Sequence, residues 1–296
     1  MRGTTLLALG LSLAGAYGSV CVAQDMTALP KVIVIEREFM KPGKTGMVHE
    51  KAESAFVEAM TKAKSPTHYF ALTSMSGTER ALFLIAYPSF DAWQKERAAM
   101  GANAGFGAAM DHAGLMDGEL QTSRDDAVLM SMDDYSLSPR ADLSGMRFME
   151  ISSYKVKPGK QQEFLEAVKL VKGAYEKVPG VHWGFFRLAY GNDSGGVYIV
   201  LQSHKSLAEL DEGMDNEKKF YAALGEDGMK KLQDLVAVSE ESSLHQLLAF
   251  NGAMSYVSDE WIKSDPSFWK PKMGMPMTKA PAMDKDKMMM DKKPAN

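Results

Sequence analysis

Lys155-Val-Lys-Pro-Gly-Lys-Gln-Gln-Glu-Phe-Leu-Glu-Ala-Val168 reads as the end of a strand, a tight turn and the start of a helix. Its centre occurs twice, because Lys41-Pro42-Gly43-Lys44 returns 116 residues later as Lys157-Pro158-Gly159-Lys160. Proline fixes φ at the second turn position and glycine accepts a positive φ at the next, so the strand stops abruptly. The residues that follow place apolar side chains at helical spacing: Phe164, Leu165, Val168 and Val171 in the second copy, and Met47, Val48, Ala52, Ala55, Phe56 and Ala59 in the first. Each copy therefore predicts a helix that buries one stripe.

Working outward, the first half predicts strand Val32–Phe39, helix Lys44–Lys62, strand Thr67–Thr73, a Gly-containing turn, strand Ala81–Tyr87, helix Phe90–Ala99, a Gly/Ala-rich helical stretch to Leu120, and strand Ala127–Met132. The second half predicts strand Phe148–Val156, helix Gln161–Lys177, strand Val181–Ala189, turn Tyr190–Gly196 and strand Val197–Gln202. It continues with helix Leu207–Gly213, a polar helical stretch to Ser239, and strand Leu244–Phe250. Each half has the βαββαβ order of a ferredoxin-like unit, so the fold class is α+β. Val197-Tyr-Ile-Val-Leu201 and Leu82-Phe-Leu-Ile85 are apolar on both faces, and helices cover only one. The expected cover for the other face is the sheet of the other half, giving two repeats that face each other as a pseudo-twofold α+β barrel with a space between the sheets.

The organisation read from composition is a 1–23 export signal, a first repeat over 24–137, a linker over 138–146, a second repeat over 147–269, and a tail over 270–296. Arg2, the apolar run Leu6 to Ala16 and the small residues before Gln24 carry the signal reading, and a periplasmic or extracellular location follows from it. Cys21 offers the alternative of lipid attachment, although Val20 is not the small residue such sites usually need. It is the only cysteine, so a chain cut after Ala23 has no thiol for disulfides, nucleophilic attack or metal ligation. The formal net charge of −4 hides an asymmetry: the tail carries seven Lys against three Asp, and the body is acidic, which argues against nucleic acid. No apolar run is long enough for a membrane span. The tail holds seven of the 23 methionines with no apolar periodicity and predicts disorder. Its Met273, Met275 and Met277 are candidate Cu(I) ligands, because thioethers are soft donors.

Through Val156-Lys-Pro-Gly-Lys-Gln-Gln-Glu-Phe164 and the repeated topology, residues 31–256 resemble the dimeric α/β-barrel superfamily, including antibiotic-biosynthesis-monooxygenase-like and NIPSNAP-like domains. The resemblance implies a ferredoxin-like barrel and admits cofactor-free monooxygenases, haem-dependent enzymes and members without established activity. Haem and copper are thus the cofactors to consider. No catalytic signature of the superfamily matches residue by residue.

Two apparent motifs dissolve on inspection. Gly43-Lys44-Thr45 lacks the first glycine of a phosphate loop, since that position is Glu38, and Asp193-Ser-Gly-Gly196 falls in a predicted hairpin turn with no accompanying protease pattern. A better constellation comes from aligning the opening strands, where Val34, Glu36 and Glu38 match Glu150, Ser152 and Tyr154. With the alternating Ile33, Ile35, Met149 and Ile151 placed toward the helices, Glu36, Glu38, Glu150 and Tyr154 are expected to face the inter-sheet space. His68 and His182 take equivalent strand-entry positions, and Arg187 lies on an otherwise apolar strand where it can pair with a ligand carboxylate or a neighbouring Glu. These seven residues are the candidate ligand-binding set. The expected function is an exported barrel protein that binds a small, partly apolar molecule between its sheets, as a monomer with an internal pseudo-dimer or a higher oligomer. The alternatives are a monooxygenase-like oxidoreductase, cofactor-free or haem-dependent, and a copper-handling protein acting through the tail.

Overall fold

The computed structural model describes residues 29–139, 142–192 and 195–271. The export-signal reading and the tail methionines Met273, Met275 and Met277 lie outside the described residues. The first run of elements is β1 (Val32–Met40), α1 (Met47–Ala63), β2 (Tyr69–Ser74), β3 (Arg80–Tyr87), α2 (Phe90–Gly101), α3 (Ala104–Gly118) and β4 (Gln121–Ser131). The second is β5 (Phe148–Val156), α4 (Gln161–Tyr175), β6 (Gly184–Tyr190), β7 (Val197–His204), α5 (Ala208–Ser239) and β8 (Glu240–Tyr256), followed by α6 (Asp259–Ser264) and α7 (Pro266–Trp269). Both Lys-Pro-Gly-Lys turns form as read, with φ of 75° at Gly43 and 78° at Gly159.

The eight strands close into an antiparallel barrel in the order β1-β3-β2-β8-β5-β7-β6-β4. The two four-stranded runs do not stand apart as facing sheets: they join edge to edge, β2 to β8 and β4 to β6, so every strand has two hydrogen-bonded neighbours. The expected space between sheets is filled. Ile33, Ile35, Leu72, Leu82, Leu84, Leu129, Met149, Ile151, Phe186, Ile199, Leu248 and Phe250 pack together inside. Trp261, Phe268 and Trp269 pack against the same cluster, and Trp269 Nε1 donates to the Ser144 carbonyl at 2.9 Å. A Cβ at Gly252 would sit 1.9 Å from the Phe268 carbonyl oxygen, so this strap lies against bare backbone of β8.

Side-chain direction is the reverse of that expected. Ile33, Ile35, Met149 and Ile151 point into the barrel, because a closed interior is the driest surface available to branched aliphatics, and period-two alternation then turns Glu36, Glu38, Glu150 and Tyr154 outward toward the helices.

Several elements run further than expected, among them β8, which covers Glu240–Tyr256 rather than Leu244–Phe250. β4 begins at Gln121 rather than Ala127, since its polar first half pairs with β1 through Phe39↔Ser123 and Glu38↔Arg124. Between β7 and β8 the label α5 covers two helices that meet at Gly225 with φ 70° and ψ 173°, a conformation essentially open only to glycine, so the first helix runs on past the expected end at Gly213.

Candidate functional site

The outer faces of the barrel carry two unlike compartments, each roofed by helices. The first lies between β1–β3 and α1/α3. Its apolar part is Ala59, Met60, Tyr69, Ala71, Phe83, Phe106 and Met254. Into the same layer β1 sends Glu38, α1 sends His49 and Glu53 from successive turns, and the last turn of α3 sends Asp117; none of the four is more than 3% exposed. The buried stripe of α1 therefore runs His49, Glu53, Met60, whereas Met47 and Val48, expected inside, are 71% and 49% exposed. His49 Nε2 donates to Glu38 Oε2 at 3.0 Å, and lies 3.3 Å from Asp117 Oδ1 and 3.8 Å from Glu53 Oε1.

Burial dominates the acid–base behaviour of this group. It pushes Glu38 up to about 7, with the Asp117 charge adding to the rise and the His49 hydrogen bond opposing it. Burial, then the Glu38 and Asp117 charges, hold Glu53 well above the usual carboxylate range. Burial pulls the His49 imidazole down, but the hydrogen bonds and charges of Asp117 and Glu38 outweigh it and bring the group to about 9. The four side chains present donor atoms that all lie within 4.8 Å of one another.

The second compartment, between β5–β7 and α4/α5, is open. A cavity of about 580 Å³ is floored by outward side chains of the sheet, including Ser152, Tyr154, Trp183, Phe185, Val200 and Gln202, and walled by Phe164, Ala167, Val168, Val171 and Tyr175 of α4. Because α5 bends at Gly225, residues on both its limbs reach the same cavity, Leu210, Gly213 and Met214 from one and Leu232 and Val236 from the other. The first limb is held by Phe220 stacked on Tyr175 at 4.6 Å, the second by the Lys231–Glu166 pair at 2.6 Å. Trp183 is fixed by its Nε1 donating to the Tyr135 carbonyl at 2.9 Å. Burial raises the hydroxyls of Tyr154 and Tyr175 above the ordinary tyrosine value, so both stay neutral donors.

Charge in this cavity has one sign. Glu150, Glu209, Glu217 and Glu240 line it, together with His204, whose Nε2 is 3.0 Å from Glu150 Oε2 and whose Nδ1 is 3.7 Å from Glu209 Oε2. No lysine or arginine is among the lining residues. A haem fits poorly here, because its two carboxylates would meet glutamates rather than cations, and both nitrogens of the one lining histidine are turned to glutamates.

Of the residues singled out from the sequence, Glu150 and Tyr154 come together at this cavity and Glu38 goes to the other compartment. Glu36 pairs with Arg124 at the surface of the β1–β4 ladder. His68 stacks on Tyr256, ring centroids 5.0 Å apart, and burial lowers its basicity. His182 Nδ1 donates to the Ser138 carbonyl at 2.7 Å, and Arg187 is exposed with Nη2 at 3.1 Å from Met130 Sδ, so neither lines the cavity. Alternation on β6 turns Phe186 inward and puts Arg187 on the outer face, outside the set of residues that line the cavity. His49, Glu53, Asp117 and His204 were not singled out. The first two carried a signal, an i, i+4 acid–base pair on a predicted helix, but nothing in the spacing tied them to Asp117.

No family model matches the chain. No curated protein matches it either. Solved structures similar to it include a monooxygenase-like protein from Lactobacillus acidophilus NCFM, at 10% identity over 74% of this chain and 94% of that one with a TM-score of 0.46. An anthrone oxidase-like protein matches at 13% identity over 74% and 90%, TM-score 0.46. The chlorite dismutase of Candidatus Nitrospira defluvii matches at 10% identity over 81% and 97%, TM-score 0.43. These neighbours belong to the dimeric α/β-barrel superfamily. Likeness at this level carries no argument about chemistry, which rests on the residues above. Among the described residues no helix is long and apolar enough to cross a membrane.

Proposed function

We propose that the chain is a binding protein for a small molecule with an aromatic or aliphatic body and a neutral or cationic polar end, held between β5–β7, α4 and α5. The observation that carries this is the cavity of about 580 Å³ with an aromatic floor and glutamates but no cation in its lining. Its size lies within the range of about 300–1,000 Å³ usual for ligand pockets. The aromatic rings supply contact area, and the glutamates favour a positive or hydrogen-donating group and repel an anion. Export to the periplasm or outside is part of the proposal, supported by Arg2 and the apolar run after it, and so is descent of the two runs of elements from one duplicated unit, supported by the Lys-Pro-Gly-Lys recurrence.

A second reading, oxidation of the bound molecule, is supported by the Glu150–His204 pair, an acid–base couple able to take a proton from a ligand hydroxyl at the cavity wall. Turnover separates the two readings: oxygen uptake that depends on His204 favours oxidation, and reversible binding without consumption favours a binding protein.

The test uses three fluorescent probes of similar size, cationic thioflavin T, neutral Nile red and anionic anilinonaphthalenesulfonate, with wild type and Gly213→Phe. Gly213 lines the cavity and a Cβ there meets no atom within 4 Å, so the new ring enters open space on a helix. The expected affinity order is cationic, neutral, anionic, with at least about a tenfold loss in the variant. A reversed order removes the charge argument, and equal binding by the variant moves the ligand elsewhere.

A further inference from the structure

Glu38, His49, Glu53 and Asp117 are an unusual thing to bury. Three carboxyl groups and one imidazole occupy a layer that also holds Ala59, Met60, Phe83, Phe106 and Met254, together with Tyr69, whose buried hydroxyl is likewise without a partner. A carboxylate taken out of water needs a donor, and His49 Nε2 can give one proton to one oxygen, which is Glu38 Oε2. Glu53 Oε1 remains buried without a hydrogen-bond partner, and Asp117 Oδ1 has only a share of the same His49 Nε2 at 3.3 Å; both point into the cluster. The other oxygen of Asp117 is held from behind by Gln121 Nε2, which leaves Oδ1 directed inward.

The spacing is that of a coordination shell. Ligands at about 2.0–2.2 Å from an ion lie up to about 4.4 Å apart across it. Here the oxygens lie 3.0, 3.3 and 3.8 Å from His49 Nε2, inside that limit, and all four donor atoms lie within 4.8 Å of one another, so the widest pair has a few tenths of an ångström to close as an ion binds. Two anchors are on the rigid first turns of α1, one is on a barrel strand, and the fourth ends α3, so the set is assembled before any ion arrives. We propose that these four residues form a mononuclear site for a divalent first-row transition ion, with three carboxylate oxygens and one imidazole nitrogen as ligands. The oxygen-rich set with a single nitrogen and no sulfur suits Mn(II) or Fe(II) and excludes the soft Cu(I) that thioethers would take. The ion supplies the positive charge that one shared imidazole proton cannot, and His49 turns from donor to ligand as it binds.

The site rests on residues separate from the ligand cavity, so it stands or falls independently of the binding function. Full-length protein is stripped with a chelator, dialysed, and titrated with Mn(II) alone. Binding is read by loss of the sharp electron paramagnetic resonance signal of the aqueous ion, and in parallel by melting temperature. Wild type is expected to take up one equivalent and to melt higher with Mn(II) than without. Glu53→Gln and Asp117→Asn are expected to lose at least about tenfold in affinity. Metal-free, each should melt no lower than metal-free wild type, because each removes a buried carboxylate. Methionines of the tail do not compete, since a hard ion ignores thioethers. Wild type that leaves the aqueous signal and its melting temperature unchanged with Mn(II), and again unchanged in melting with Zn(II), overturns the site. Undiminished uptake by both variants overturns it equally.

Discussion

The compartment under α1 and α3 and the compartment under α4 and α5 cover the same kind of surface, the outer face of a four-stranded run in the barrel, and use it in opposite ways. The first is closed over a charged cluster; the second is propped open over aromatic rings. Position by position, the difference is small. Residues 116 apart are Glu38 and Tyr154 on the strand, His49 and Leu165, and Glu53 and Lys169 on the helix. Where the strand and helix present acid and imidazole, the roof comes down on them. Where they present Tyr154 and Leu165, and the second roofing helix is bent, a cavity stays. The lesson is that backbone topology fixes where a compartment lies, whereas a few outward side chains and one glycine decide whether it holds charge or space.

The sharpest way to break this comparison is to raise the pH on metal-free protein. Glu38 has a folded pKa of about 7 against an ordinary 4.5, and His49 about 9 against 6.5. In both, the folded state binds protons more tightly than the unfolded one. The stabilisation is complete below the unfolded values and is lost as pH rises through about 7 for Glu38 and about 9 for His49. Metal-free wild type should therefore melt progressively lower from pH 6 to pH 9, and Glu53→Gln should fall less; a flat wild-type profile would mean that the cluster is not the charged liability described. Next in size, Gly225→Ala forces a side chain into a conformation reserved for glycine and should cost about 1–3 kcal/mol in denaturant unfolding, with parallel loss of probe affinity. Retained affinity would show that the bend of α5 does not shape the cavity. Gly213→Phe replaces a helical glycine facing open space, so its loss of probe binding should come with unchanged or raised stability, by up to about 1 kcal/mol. Smallest, Lys231→Ala removes a half-exposed pair with Glu166 and should change stability by no more than about 0.2–1 kcal/mol.

Much of the architecture was legible because it is written locally. The Lys-Pro-Gly-Lys turns, the β-branched strands and the helix after each turn are statements about neighbouring residues, and β1 to β3 and β5 to β7 lie close to where the sequence puts them. Barrel closure was less legible, because apolar residues on both faces of a strand do not say which face is enclosed. Assigning Ile33 and Ile35 to the helices reversed Glu36, Glu38, Glu150 and Tyr154 together, since a single choice of face sets every second residue. Glu150 and Tyr154 still belong to a cavity, on the other side of the sheet. The cluster around His49 could not be read, because Asp117 reaches it only through the packing of α3 on α1. Polar ends of elements were also lost: the exposed Thr122 to Arg124 of β4 and Glu241 to His245 of β8 carry no apolar alternation, and pairing alone makes them strands.

The position of β8 in the ring has a consequence in time. This strand is the last of the barrel to be synthesised, yet it is the one that joins β2 of the first run to β5 of the second. Until it is in place, β2 has a bare edge and the aliphatic interior has an open seam, so no subset of the earlier strands completes the enclosed core. The closing contacts, such as Leu72 with Phe250, join residues far apart in sequence, the kind of pairing whose loop-closure entropy slows folding. A chain halted before Glu240 is thus not a smaller barrel but an unclosed sheet with a sticky rim, the species most exposed to aggregation or to capture by a chaperone.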